Sequence, residues 1–230
     1  MKKILLLSLA ALFAGSAPLR AEAKREDLVT RIETCEAILQ DFMIHRDTAI
    51  PASVLKQAHA LVIVNQFKAG LLLGIKQGYG VILARKPDGR WSLPVLISAG
   101  EASLGLQLGA KSVETVYIIT DDATPRLFFN KHFNVGVDAK AVAGPKAAEV
   151  ENNNHPIIEA APAAPVLVYS KSAGLFAGAT VKAGYLSRND DANRVLYNTS
   201  YTMPELLYSD WVSAPAEVQP LMEYVTKITR

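Results

Sequence analysis

The chain has 230 residues, 50% of them apolar and 20% charged. That is a globular composition with material for a core, and it excludes a disordered chain, a collagen and a disulfide scaffold. The formal charge is +2; residues 1–23 hold Lys2, Lys3, Arg20 and Glu22, so setting them aside takes 24 basic and 22 acidic residues to 21 of each, and a neutral chain does not bind nucleic acid through bulk charge.

Lys2-Lys3, an apolar run over residues 4–14 and a small-residue stretch ending Ala21-Glu22-Ala23 have the layout of a bacterial secretory signal peptide. The run is too short to span a bilayer. The expectation is cleavage near Ala21 or Ala23, one domain over residues 24–230, and a periplasmic or secreted chain. Leu28, Ile32, Cys35, Leu39 and Phe42 recur at steps of four and three, which predicts an amphipathic helix over about 26–45. Lys24, Arg25 and Arg31 are balanced by Glu26, Asp27, Glu33 and Glu36, so the stripe reads as core rather than as an interfacial helix with a basic polar face. Cys35, the single cysteine, reads as a small buried apolar residue. Pro51 opens a second, shorter helix through Ala58.

From Ala60 the pattern turns to β. Residues 61–64 form a short β run and 70–85 a Gly-punctuated apolar one, and Pro87-Asp88-Gly89 is a turn between strands. Residues 91–98, 103–111 and 113–120 read as three further strands, and 124–131 as a short helix. Residues 134–143 are ambiguous between strand and loop. Asp121-Asp122 reads as a turn rather than a calcium loop. The polar, then Ala/Pro-rich stretch 144–165, with Asn152-Asn153-Asn154, reads as a long surface loop. Strand character returns at 166–169 and 174–186. Residues 204–208 and 215–228 look helical, with Val218, Leu221, Met222 and Val225 on one face.

Three segments share one shape: Gly70-Leu71-Leu72-Leu73-Gly74, Gly105-Leu106-Gln107-Leu108-Gly109 and Gly174-Leu175-Phe176-Ala177-Gly178. On a strand, this even spacing puts both glycines on one face, where the backbone can bend or be approached closely. The expected fold class is therefore α+β: a Gly-rich, strongly curved, mainly antiparallel sheet or small barrel flanked by N- and C-terminal helices. An outer-membrane barrel needs aromatic girdles, and 7% aromatics with helical ends speak against one.

The order of these pieces resembles the SYLF family, a lipid-binding domain also described as the actin-binding domain of a yeast cortical actin-patch protein. The matching residues run from about Lys56 to Tyr197. They are Lys56-Gln57-Ala58-His59-Ala60-Leu61-Val62-Ile63, Lys68-Ala69-Gly70 with Gly74, Gly78-Tyr79-Gly80-Val81 and Asp88-Gly89-Arg90-Trp91-Ser92-Leu93-Pro94. Further on are Leu104-Gly105-Leu106-Gln107-Leu108-Gly109-Ala110, Ala143-Gly144-Pro145, Tyr169-Ser170-Lys171, Gly174-Leu175-Phe176-Ala177-Gly178, and Asn193 with Tyr197. The resemblance implies a non-enzymatic domain whose eukaryotic members bind phosphoinositide-containing membranes, some of them binding or bundling actin. The chain departs from the family in its signal peptide, in carrying Glu101 in a stretch that is small and Gly-rich there, and in the expected lack of an SH3 or FYVE module.

Lysine and arginine donate charge-assisted hydrogen bonds to phosphate, and glycine lets backbone N–H groups approach. The basic residues near the Gly-rich strands are Lys68, Lys76, Arg85, Lys86, Arg90, Lys111, Lys171 and Lys182. Lys68 and Lys171 each precede a Gly-x-x-x-Gly segment and lead the expected lipid-binding set of Lys68, Lys171, Lys76, Arg85 and Lys111. His45, His59, His132 and His155 have no zinc spacing. Nucleophile-elbow, phosphate-loop and Cys–His motifs are absent, and Glu101 is the one acid to test as catalytic. The reading is a non-enzymatic envelope module with no cofactor, metal or nucleic acid, whose partner is anionic phospholipid or a membrane surface. The alternative is a structural or protein-binding envelope module. Export takes the chain away from cytosolic actin.

Overall fold

The stripe at steps of four and three is core. Helix α1 (Arg25–Ile44) holds Leu28, Ile32, Cys35, Leu39 and Phe42 at 1% exposure or less. This comes from a computed structural model that describes residues 24–45, 47–70, 73–104, 109–144, 164–172 and 185–230. Residues 1–23, expected to be a signal peptide, most of the expected 144–165 loop, Lys182 and the third Gly-x-x-x-Gly segment lie outside the described residues.

One eight-stranded sheet follows α1 and the short helix α2 (Ala52–Lys56). Its strands are β1 (Ala60–Gly70), β2 (Leu73–Ala84), β3 (Val95–Leu104), β4 (Gly109–Ile119), β5 (Phe133–Asn134), β6 (Ala141–Ala143), β7 (Val166–Ser172) and β8 (Tyr185–Arg188). They lie in the order β5-β8-β3-β2-β1-β4-β7-β6, antiparallel except for β6 beside β7. The sheet curls strongly into a half-barrel. Two glycines permit the curl: a Cβ at Gly78 would collide with the Asn65 carbonyl oxygen, and one at Gly80 with that of Ile63.

Both faces of the middle of the sheet are covered. Residues 60–64 of β1 and 81–84 of β2 are all at 0% exposure. Helix α1 packs on β1 and β2 and on the C-terminal helices α4 (Asp190–Tyr197) and α6 (Gln219–Ile228). Two short helices, α3 (Thr124–Leu127) and α5 (Met203–Tyr208), and a 3-10 turn (Ala216–Val218) complete the described helices. Asp121 caps α3, accepting from the Thr124 N–H at 2.6 Å.

Several expected boundaries move. Residues 103–111 are not a strand of their own: β3 runs on through Ala99-Gly100-Glu101-Ala102-Ser103, each in register with β2, and β4 starts at Gly109. Pairing with a neighbouring strand overrides the weak β propensity of these small residues. Trp91 lies outside β3, in an isolated bridge with Arg85. Residues 134–143 split into β5 and β6 around Gly136, which has φ 86°. Of the first two Gly-x-x-x-Gly segments, Gly70 ends β1, Gly74 lies in β2 and Gly109 opens β4, while residues 71–72 and 105–108 lie outside the described residues. At Gly78 and Gly80 of β2 the β1 backbone leaves no room for a Cβ. Helix α4 is not among the expected elements, although its caps are in the sequence: Asn189 accepts from the Ala192 N–H at 3.2 Å, and Asn198 takes the left-handed conformation at φ 47°.

Many residues that carry the family resemblance hold this frame together. Buried Asn193 accepts from the Leu96 N–H at 2.8 Å and donates to its carbonyl at 2.9 Å, fastening α4 to β3. The Tyr197 hydroxyl donates to the Pro94 carbonyl at 2.6 Å. The Trp91 indole N–H donates to Thr229 Oγ1 at 2.9 Å. Gly89, at φ 84°, makes the turn before Arg90.

Candidate functional site

The expected basic residues fall in three places. Lys68 of β1 pairs directly with Lys76 of β2 on one side and Lys111 of β4 on the other, and Lys76 pairs with Glu101 of β3. The row Glu101–Lys76–Lys68–Lys111 therefore crosses four adjacent strands on one face, over about 14 Å at ordinary strand spacing. It lies where β1 and β2, and β3 and β4, connect. Directly opposed like charges destabilise a sheet. In this register three lysine positions stand against one glutamate position. Further into the sheet, the same face carries Gln66 at 7% exposure and then Thr115, whose hydroxyl is 3.1 Å from that of Ser170.

Lys171 lies on the other face, at the end of the row Tyr79–Asn65–Glu114–Lys171. Its ammonium donates to the Asp41 carbonyl at 2.8 Å and to the Asp41 carboxylate, and stands 4.8 Å from the centre of the Phe42 ring. The hydrogen bond from Lys171 holds the Asp41 carboxyl below its ordinary value. Burial, helped by the Asp41 charge, raises that of Glu114. Lys171 thus fastens β7 to the last turn of α1, where helix carbonyls lack partners. Sequence reasoning misses Asp41, because nothing local links positions 130 residues apart.

Arg85 lies at the opposite end of β2, nine residues and about 30 Å of extended strand from Lys76. It lines an open groove of about 800 Å³ with Arg90, Trp91, Met222, Lys227 and Arg230. Its guanidinium carbon stands 5.1 Å from the Trp91 ring centre, and Nη2 donates to the Thr229 carbonyl at 3.4 Å. Its neighbours are neutralised. Lys86 donates to Asp210 at 2.6 Å and to the Ser209 carbonyl at 2.8 Å, and Arg90 donates to Asp88 and Asp210, each at 2.7 Å. Hydrogen bonds from Arg90 and Lys86 lower the Asp210 carboxyl to about 2.

Two side chains of catalytic type are engaged in the fold. Burial pushes the Cys35 thiol up to about 12, far from a reactive thiolate. His59 Nδ1 pairs with Asp122 at 2.6 Å. Glu101 of β3 is in register with Lys76 of β2. Among the described residues, no group of three or more His, Cys, Asp or Glu is placed to hold a metal ion, and no helix is long and apolar enough to cross a membrane.

A family model described as Ysc84, Las17-binding protein actin regulator, matches residues 100–228. An SH3 domain-containing protein of Schizosaccharomyces pombe is 35% identical over 190 residues, 80% of this chain and 44% of that protein. The SH3 domain-containing YSC84-like protein 1 of Bos taurus is 31% identical over 184 residues, 80% of this chain and 52% of that protein. LAS seventeen-binding protein 3 of Saccharomyces cerevisiae is 35% identical over 176 residues, 76% of this chain and 38% of that protein. The chain spans about half the length of these relatives or less. No solved structure matches it. The family is associated with lipid and actin binding and is generally one of non-catalytic binding modules. With the family model covering more than half of its length and these relatives at 30% identity or above, the chain belongs to the Ysc84, or SYLF, domain family.

Proposed function

We propose that the chain is a non-catalytic module of the cell envelope that holds anionic phospholipid headgroups at the end of the sheet marked by Lys68, Lys76 and Lys111. The observation that carries this reading is the register, which sets three lysines directly opposite one another with one glutamate beside them. Each lysine near an anionic membrane surface contributes about 1 kcal/mol, so the three supply roughly 3 kcal/mol, or about a hundredfold in affinity. Lys171 supports this site by anchoring β7 to α1, and Arg85 belongs to the far groove. The basic, then apolar, start of the chain supports an envelope location, which sets aside the actin role in the family description.

The test is co-sedimentation of the chain from Lys24 with phosphatidylcholine vesicles, with or without phosphatidylglycerol or cardiolipin, at low and high salt. The expected result is binding to the anionic vesicles alone, weakened by salt. Combined Lys68→Gln, Lys76→Gln and Lys111→Gln should reduce it by about a hundredfold with an unchanged circular dichroism spectrum. Full binding by the folded triple variant overturns the site. No binding to any vesicle overturns the lipid reading in favour of a protein partner, for which Trp211, 67% exposed and 5.1 Å from the Tyr201 ring, is an available anchor.

A further inference from the structure

We propose that the groove between residues 85–91 and helix α6 binds an extended acidic segment of a partner protein, with a carboxylate on Arg85 and an apolar side chain over Trp91 and Met222. The site is independent of the lipid reading and lies at the other end of β2. The first observation is an unpaired charge. Arg85, Lys86 and Arg90 all leave this edge of the molecule. Lys86 and Arg90 share Asp210, and Arg90 also holds Asp88. Arg85 has no carboxylate partner among the described residues. Of its side-chain donors one is bonded, Nη2 to the Thr229 carbonyl at 3.4 Å, and the buried Nε has no partner. A half-buried guanidinium without an acid is costly. A carboxylate seated in the groove supplies what Asp210 supplies to Lys86 and Arg90.

The second observation is how firmly the floor is held. Trp91 is 7% exposed, its N–H bonded to Thr229 Oγ1, and that hydroxyl donates to the Val225 carbonyl at 2.8 Å. Thr229 thus ties both the Trp91 ring and the Arg85 guanidinium to the end of α6, with the guanidinium carbon 5.1 Å from the ring centre. A backbone bridge also joins Arg85 to Trp91. The charge and the apolar floor are therefore in place before a ligand arrives, which lowers the ordering cost of binding. Arginine and tryptophan are also the residue types that carry much of the binding energy at protein interfaces.

The third observation selects the occupant. Gln219, Met222, Glu223, Thr226 and Lys227 line the groove at steps of three and four. It therefore follows one face of α6 for about 12 Å, the span of roughly four residues of extended chain. Lys227 and Arg230 are exposed and carry no ion pair among the described residues. With Asp88 held by Arg90, the unpaired charges of the lining are Arg85, Lys227 and Arg230 against Glu223. That balance favours an anionic occupant. A small ligand asks for a pocket that closes over most of its surface, and this groove of about 800 Å³ is open. A flat headgroup layer would meet Glu223 together with the basic residues and would leave the Trp91 floor empty. A peptide sets its carboxylates at chosen positions and lays an apolar side chain on that floor.

The experiment uses Trp91 as the reporter. A Trp211→Phe chain, in which Trp91 is the only tryptophan, is titrated with a short capped peptide of alternating glutamate and leucine and with its lysine–leucine counterpart. Binding is followed by indole emission and by calorimetry. The acidic peptide should bind and change the Trp91 emission, and the basic peptide should do neither. Arg85→Gln should weaken binding by about tenfold or more, the worth of a hydrogen bond to a charged group. Lys227→Glu, on the exposed rim, should weaken it by about fivefold. Full binding by a folded Arg85→Gln chain overturns the site, and full binding by Lys227→Glu does so where Arg85→Gln fails to fold. Equal binding of the two peptides overturns the selection by charge. No binding of the acidic peptide at millimolar concentration overturns the proposal, and a Trp91 response to phosphatidylglycerol vesicles in its place would make the groove a headgroup site.

Discussion

Strand β1 passes through two environments without a break in its pairing. Residues 60–64 are apolar, lie at 0% exposure on both faces, and are registered against β2 and β4. The next residues, Asn65, Gln66, Phe67 and Lys68, continue the same two ladders. The border is a polar seam on the α1 face. Asn65 donates to the Tyr79 hydroxyl at 3.3 Å and accepts from Ser112 at 3.2 Å, in the row that ends at Glu114 and Lys171. Backbone pairing alone therefore does not require the apolar faces of the first half. Those faces follow the helices that cover them. Beyond the seam, the register sets Lys68 opposite Lys76 and Lys111, and Phe67 is 56% exposed.

The sharpest way to break this contrast is to put a charge on each side of it. Leu28→Asp buries a carboxylate at 0% exposure in the helix that covers the first half, at a cost above about 4 kcal/mol, and should abolish the cooperative thermal transition. A variant that stays folded yet loses vesicle binding would make α1 the membrane face and reverse the assignment. Phe67→Asp, on the other half, should leave Tm unchanged. Next in size is Gly80→Ala. Its Cβ would meet the Ile63 carbonyl oxygen, a backbone atom that yields only if β1 and β2 separate. A loss of about 1–3 kcal/mol is expected, read as a lower denaturation midpoint. An unchanged midpoint would place the tightness of the curl elsewhere.

The covered half is legible in the sequence and the far half only in part. The α1 stripe and the buried run 61–64 follow periods that packing imposes, so pattern reading finds them. The strand ends at 95–104 and 109–119 escape it, because Gly100, Ala102 and Ser103 have little β preference of their own and are held by β2. Lys68, Lys76 and Lys111 are picked out by their place beside Gly-rich strands, but their adjacency is not legible: only the register sets them on neighbouring strands. Lys171 is picked out by its position before a glycine segment, and only the fold shows its bond to Asp41.

A smaller effect tests whether Lys171 belongs to the covered half. Its hydrogen bond lowers the Asp41 carboxyl in the folded state. The stabilisation from that shift is full above the unfolded value, near pH 3.9, and is lost as the pH falls through the lower folded value. Wild type should melt above Lys171→Met by a constant margin between about pH 5 and 7, and the margin should shrink below about pH 4. Asp41 is largely exposed, so water screens the pair and the margin is modest. A margin that does not change with pH would mean that Lys171 acts through its bond to the Asp41 carbonyl and its contact with Phe42 rather than through the Asp41 carboxylate.

The smallest effect on stability has the opposite sign and is the most direct test of the far half. Replacing Lys68, Lys76 and Lys111 by glutamine removes two lysine–lysine pairings and one lysine–glutamate pairing. At roughly 0.2–1 kcal/mol for each cross-strand pair, the balance favours the variant by about one pairing. Its Tm should rise by a degree or two. Added salt should raise the wild-type Tm towards that of the variant and leave the variant unmoved, because screening relieves only a repulsion that is present. A lower Tm in the variant would class the row with Lys86, whose charge is built into the fold through Asp210. A higher one, in a protein that has lost its hold on anionic vesicles, would show three lysines kept against the preference of the sheet, and for that the fold itself offers no reason.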